Sequence, residues 1–211
     1  MSKSLILVHG LFMKPLVMKF LEWHFKKLGY TTYQFAHPSR AFSETTLHRL
    51  TALIDSMTTD ECYVVGHSMG GLIAKQVLQE HAHRWKYRFK KMGLVTLGTP
   101  HQTSRLAGFL EKTLLRPMLG SSGDSGLIKV VPEGLPAGIP LGCIGGTLPV
   151  GLLACVKRIP NDGTVFLFES FDRKADDSLA MKLSHTSLVY SKKVVQQTHH
   201  FFEHHTFKTT S

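Results

Sequence analysis

The sequence predicts an α/β domain built on a doubly wound, mostly parallel sheet of about six strands. Three observations predict it. Short β-rich runs alternate with amphipathic stretches along nearly the whole chain, the order that strand–helix–strand crossovers produce. The first of them, Ser4–Val8, is continuously apolar and β-rich, as in a strand buried on both faces. No repeat and no low-complexity linker interrupts the series, so residues 1–211 read as one domain, at a length one domain accommodates.

Each element can be justified in turn. Ser4–Val8 (SLILV) is the first strand, ending in His9-Gly10. Pro15–Leu28 sets Leu16, Phe20, Trp23 and Leu28 at roughly helical spacing, and Gly29 stops it. Thr31–Phe35 is the second strand. Ser43 or Thr45 caps a helix reaching about Met57, with Leu47, Leu50, Leu53 and Ile54 on one face. Cys62–Val65 is the third strand, and Gly71–Glu80 a helix carrying Leu72, Ile73, Val77 and Leu78. Met92–Leu97 is the fourth strand and Arg105–Leu119 a further helix. The density of Gly, Pro and Ser from Gly120 to Pro140 marks a long loop. Pro140–Ile144 is the fifth strand, Ala180–Leu183 a weaker sixth, and Thr186–Phe202 the closing helix.

Composition narrows the function classes. At 43% hydrophobic and 19% charged residues the chain can bury a full core and is not of the disordered class. No apolar run reaches the roughly 18 residues of a membrane span. The start, MSKSLILVHG, has too short an apolar stretch and no small-residue cleavage site, so no secretory signal is expected. Cys62, Cys143 and Cys155 are too few and too scattered for a disulfide framework or a thiolate zinc site, and Cys62 and Cys143 are expected to pack as small hydrophobes. A reduced, cytoplasmic protein is the expectation. The formal charge of +10 favours phosphates or anionic lipid heads, but no zinc-finger spacing or RNP-type strand accompanies it, and no nucleic-acid partner is expected.

The chemistry is carried by Gly66-His67-Ser68-Met69-Gly70, a G-x-S-x-G that directly follows the buried run CYVV and directly precedes a helical segment. A strand-to-helix turn this tight forces its central residue into a strained conformation, and glycines two residues away let the chains approach. This is the arrangement of an α/β-hydrolase nucleophile elbow, with Ser68 projecting above the strand ends and the helix N-terminus favouring negative charge beneath it. In that fold the acid and then the base follow the serine along the chain. Among Asp124, Asp162, Asp172, Asp176 and Asp177, Asp162 stands out, in the turn Asn161–Thr164 beyond the fifth strand. Asp172, Asp176 and Asp177 sit in a charged stretch and read as solvated surface, and Asp124 comes too early. His185 follows the sixth strand and heads the last helix, the place for a base.

The chain resembles the α/β-hydrolase superfamily, in particular small lipase- and esterase-like serine hydrolases without a lid domain, in a minimal form lacking the first strands. VHGL (8–11), GHSMGG (66–71), LGTPH (97–101), NDGTV (161–165) and SHTSLVYS (184–191) carry the resemblance in order over nearly the full length. LGTPH is similar to the corresponding segment of triacylglycerol-lipase-like and GPI inositol-deacylase-like members. The resemblance implies a Ser68–His185–Asp162 triad, with backbone N–H groups of Leu11 (or Phe12) and Met69 as oxyanion hole, and no metal or organic cofactor. It implies hydrolysis of a carboxylic ester, of a small molecule or a lipid, through an acyl-enzyme. The alternatives are acyl transfer by the same triad and a binding or regulatory module. Segment 102–139 matches no landmark. An open acyl groove between it and the elbow is expected, without interfacial activation.

Other signals carry less. His200-Phe201-Phe202-Glu203-His204 matches H-x-x-E-H, but no downstream third ligand exists, and a fraying terminal helix is the better reading. Arg84–Lys91 (RWKYRFKK) alternates basic and aromatic residues. It reads as a connector with its aromatics packed down, and secondarily as a peripheral contact with an anionic membrane. Gly142–Gly146 (GCIGG) lacks the third glycine and helix of a dinucleotide fingerprint.

Overall fold

The computed structural model describes residues 1–10, 13–37, 43–102, 131–156 and 158–209. Six strands, β1 (Lys3–Val8), β2 (Tyr30–Phe35), β3 (Glu61–His67), β4 (Lys91–Leu97), β5 (Leu141–Gly146) and β6 (Asp177–Met181), form one sheet in the order β2-β1-β3-β4-β5-β6. Every neighbouring pair is parallel. Helices α1 (Lys19–Lys27), α2 (Glu44–Asp55), α3 (Met69–Trp85) and α4 (Lys192–His204) cover it.

The period of two along the strands divides the core. Ile6, Val8 and Val64 join Leu50 and Ile54 of α2 and Val77 and Trp85 of α3 in one cluster. Leu5, Leu7, Tyr63 and Val65 join Leu21 and Phe25 of α1 and Phe201 and Phe202 of α4 in the other. Because β2 lies on one side of β1 and β3 on the other, the winding reverses between β1 and β3. Open α/β sheets bind their ligands at the strand ends beside such a reversal.

Several elements differ from the sequence expectation. Pro15–Met18 is a 3-10 turn, and α1 begins only at Lys19. The buried residues of this segment are Met18, Leu21 and Phe25, while Leu16 and Trp23 are 62% and 54% exposed. The segment carries two apolar stripes at helical spacing. The sheet takes Met18, Leu21 and Phe25, with Phe20 packed beside them, and Trp23 is instead covered by Lys27, whose Nζ sits 3.4 Å from the ring centroid. Ser43, rather than Thr45, caps α2, accepting from Thr46 N–H at 3.3 Å. Helix α3 starts at Met69 and runs to Trp85, beyond the expected Gly71–Glu80. Strand β6 starts at Asp177, because a half-exposed edge strand needs no apolar run. The closing helix is split: Ser187–Tyr190 is a 3-10 turn, and Ser191 caps α4.

Asp172 corrects the sequence reading outright. It is buried against the ammonium of Lys75, itself 1% exposed. The charged stretch around Asp172 looks solvated because its partner lies on another element, 97 residues away. Leu11, Phe12, the expected helix Arg105–Leu119 and Gly120–Val130 of the expected loop lie outside the described residues. No helix among the described residues is long and apolar enough to cross a membrane.

Candidate active site

Strand β3 ends at His67 and α3 starts at Met69, so Ser68 alone makes the turn. It does so at φ 54° and ψ −127°, a left-handed conformation that a non-glycine residue holds only where its surroundings force it. The glycines of the motif are close-approach positions. A Cβ on Gly66 would lie 2.4 Å from Gly71 Cα, and one on Gly70 would lie 2.4 Å from the Val8 carbonyl oxygen. The Ser68 backbone is pinned on both sides. Its N–H donates to the Leu97 carbonyl at 2.8 Å. Its own carbonyl accepts from Gly71 N–H at 3.0 Å and from the Thr99 hydroxyl at 2.9 Å. Met69 opens α3, so its N–H is among the donors that a helix N-terminus leaves without an intrahelical partner. A Cβ on Gly10, at the end of β1, would come within 2.9 Å of Ser68 Cβ, so the β1 and β3 ends meet at the serine.

Asp162 is wholly buried in the turn after β5. Its Oδ1 accepts from the N–H groups of Thr164 (2.9 Å) and Val165 (2.8 Å), which fix the carboxylate plane. Its Oδ2 accepts from His185 Nδ1 at 2.7 Å. A backbone bond from His185 N–H to the Asp162 carbonyl (2.8 Å) draws the two residues together a second time. With Nδ1 committed as donor, Nε2 is the ring nitrogen left to take a proton. Gly98 makes the close approach feasible: at φ +56°, a Cβ there would lie 2.9 Å from Asp162 Oδ2 and 3.0 Å from His185 Nδ1.

Sequence reasoning missed three supports. His67, treated as the variable position of the motif, reaches from the elbow to His185. Its Nε2 donates to the His185 carbonyl at 2.9 Å, and the two rings lie 4.6 Å apart. Burial, with the neighbouring His185 ring, pushes its pKa down to about 3, so His67 is neutral in ordinary buffers. Gly98 and Thr99, seen only as part of LGTPH, hold the Asp–His pair and the elbow respectively. The third support is the Lys75–Asp172 ion pair. Asp172 Oδ1 also accepts from Gly134 and Lys174 N–H, each at 2.9 Å. The His101 ring, with its side chain 1% exposed, stands 3.7 Å from Asp172 and bonds Thr96 through Nε2 at 3.0 Å. These contacts tie α3, which begins at the serine, to the loops after β4 and after Asp162.

The remaining sequence signals go elsewhere. In the H-x-x-E-H stretch, Glu203 pairs with Lys3 at 2.5 Å. Of the aromatics in Arg84–Lys91, Trp85 and Phe89 are buried and Tyr87 is 93% exposed, at the end of the sheet away from Ser68. Cys62 and Cys143 are buried, and burial raises their thiol pKa to about 12 and about 11. Among the described residues no cluster of His, Cys, Asp or Glu has the makings of a metal site.

Residues 26–114 match the family model described as PGAP1-like alpha/beta domain. The match takes in the elbow and Gly98–His101 and ends before Asp162 and His185. No curated protein sequence matches the chain. Among solved structures, tomato methylketone synthase I complexed with 2-tridecanone superposes with a TM-score of 0.60 at 11% identity, over 95% of this chain and 98% of that one. A polyneuridine aldehyde esterase mutant gives 0.59 at 12% identity, over 93% and 97%. The RedJ thioesterase of the prodiginine pathway in Streptomyces coelicolor gives 0.55 at 13%, over 95% and 85%. At these identities the likeness is one of fold.

Proposed function

Starting from the α/β-hydrolase fold that this chain shares with esterases and thioesterases, we propose that it is a serine hydrolase cleaving a carboxylic ester, with Ser68 as nucleophile, His185 as base and Asp162 as orienting acid. The observation that carries the reading is the buried 2.7 Å contact between Asp162 and His185, held at the sheet end where Ser68 turns at positive φ.

The roles follow from the atoms. His185 Nε2 takes the Ser68 hydroxyl proton as Oγ attacks the ester carbonyl carbon. Asp162 Oδ2 accepts from Nδ1–H, keeping the ring in the tautomer that leaves Nε2 basic and stabilising the imidazolium that forms. The developing oxyanion is met by the Met69 N–H, at the positive end of α3, and the resemblance to α/β-hydrolases assigns the Leu11 N–H as the second donor. His185 returns its proton to the departing alcohol, leaving an acyl-Ser68 ester. Water attacks that ester with His185 again as base, His185 passes the proton to Ser68 Oγ, and the carboxylic acid leaves.

Steady-state turnover of p-nitrophenyl esters of rising chain length tests this reading. Wild type is expected to hydrolyse them, and Ser68→Ala and His185→Ala to lose about 10³-fold or more in kcat. Undiminished turnover by Ser68→Ala would overturn it.

A further inference from the structure

Of the eleven large apolar side chains exposed among the described residues, five lie within residues 148–168: Leu148, Val150, Leu152, Ile159 and Phe168, at 37% to 62% exposure. Isolated exposed hydrophobics are ordinary, whereas a cluster on one stretch marks an interaction surface. The stretch is not loosely attached. Leu153 N–H donates to the Gly163 carbonyl at 2.8 Å, and Leu148 N–H to the Leu183 carbonyl at 3.0 Å. Asn161 Nδ2 holds the Ile159 carbonyl at 2.9 Å, and Val150 sits so tightly on the acid turn that a Cβ on Gly163 would lie 2.1 Å from its carbonyl oxygen. The backbone is therefore strapped to the Asp162 turn and to the approach to His185, and the five named apolar side chains reach water while Leu153 and Val165 anchor the stretch in the core.

The exposed charge on the stretches that meet here has one sign. Across 147–168 and 178–191 the only carboxylate in the sequence is Asp162, which is wholly buried. The basic residues there are Lys157, Arg158 and Lys182, and Arg158 and Lys182 are exposed. Apolar side chains beside cations, with no exposed carboxylate, match a bilayer surface with anionic headgroups. The acyl boundary takes the side chains, and the headgroups meet the cations. The alternating basic–aromatic stretch 84–91 does not compete, since two of its three aromatics are buried and it lies at the other end of the sheet.

We propose that the rim formed by residues 147–168 docks the protein on an anionic lipid surface, with the strand ends that carry Ser68 and His185 turned toward it. That it serves substrate delivery rests on the ester-hydrolase reading above; the docking itself does not.

The test is flotation of the full-length Ser68→Ala protein with phosphatidylcholine vesicles, with and without phosphatidylglycerol, so that binding is read without turnover. Co-flotation with the phosphatidylglycerol vesicles, weakened by salt, is expected. A Val150→Asp/Leu152→Asp pair should cut that binding at least tenfold without moving the thermal midpoint, since both side chains are exposed. Tyr87→Asp, at the opposite end of the sheet, should leave binding as it is. Absence of flotation at low salt, or equal loss in Tyr87→Asp, would overturn the proposal. So would a wild-type dimer, seen by sedimentation, that the Val150/Leu152 pair dissociates; the rim would then be an interface between two copies. Loss of docking leaves the p-nitrophenyl ester result standing, and the reverse holds equally.

Discussion

His67 offers a direct test of how His185 is held. Its Nε2–H is the donor to the His185 carbonyl, at 2.9 Å inside a fully buried site. His67→Leu fills much of the ring's volume but leaves that carbonyl without a donor, which costs about 1–3 kcal/mol. For a chain of this size that corresponds to roughly 2–4 °C in Tm per kcal/mol. The carbonyl belongs to the proposed base itself, so a shift on the order of 1 Å there should lower kcat by about 10²-fold. His67→Gln keeps an amide donor at comparable reach and should restore most of both. A pH profile separates positioning from mere packing. The folded pKa of His67 lies at about 3, below the 6.5 of the unfolded chain. Between those values the unfolded state binds more protons, so stability rises with pH and falls as the solution is acidified. The loss is about 1.4 kcal/mol per pH unit, or about 2 kcal/mol from pH 6.5 to 5. His67→Gln lacks this proton linkage and should lose about 2 kcal/mol less over the same interval in urea unfolding. Parallel pH dependence of wild type and His67→Gln, or full activity in His67→Leu, would refute the reasoning.

Three further outcomes follow from the same contacts. Lys75→Met strands the Asp172 carboxylate in the interior and should cost about 3–5 kcal/mol in urea unfolding, whereas Lys75→Met/Asp172→Leu should recover most of it. Gly98→Ala puts a methyl group within 3.0 Å of both Asp162 Oδ2 and His185 Nδ1 at a positive φ; circular dichroism should stay native-like while kcat falls about 10²-fold or more. Asp162→Asn retains the turn geometry but removes the carboxylate that fixes the His185 tautomer, and kcat should drop by about 10⁴-fold with little change in KM.

The sequence was legible where information is local. Apolar runs placed β1, β3, β4 and β5, and the turn residues after strands placed Ser68, Asp162 and His185 at strand ends, where the structure sets Asp162 against His185. What stayed hidden depends on pairings distant in sequence. Asp172 looks solvated among Arg173, Lys174, Asp176 and Asp177, because Lys75 becomes its neighbour only once α3 has docked on the sheet. Met18, Leu21 and Phe25 compete with Leu16 and Trp23 for the inner face of the segment 15–28, and periodicity cannot rank two apolar stripes on one segment. His67 holds a variable position of the motif, and its bond to the His185 carbonyl spans 118 residues. Gly98 shows its purpose only beside the pair that it makes room for.

The central claim, that Ser68 is activated by His185 and Asp162, is tested most directly by a fluorophosphonate probe, which phosphonylates an activated serine without depending on the ester chosen. Peptide mass spectrometry of the labelled wild-type protein should find the adduct on Ser68, with labelling abolished in Ser68→Ala and slowed by orders of magnitude in His185→Ala. An adduct on another residue, or a folded wild-type protein that takes up no label, would contradict the account.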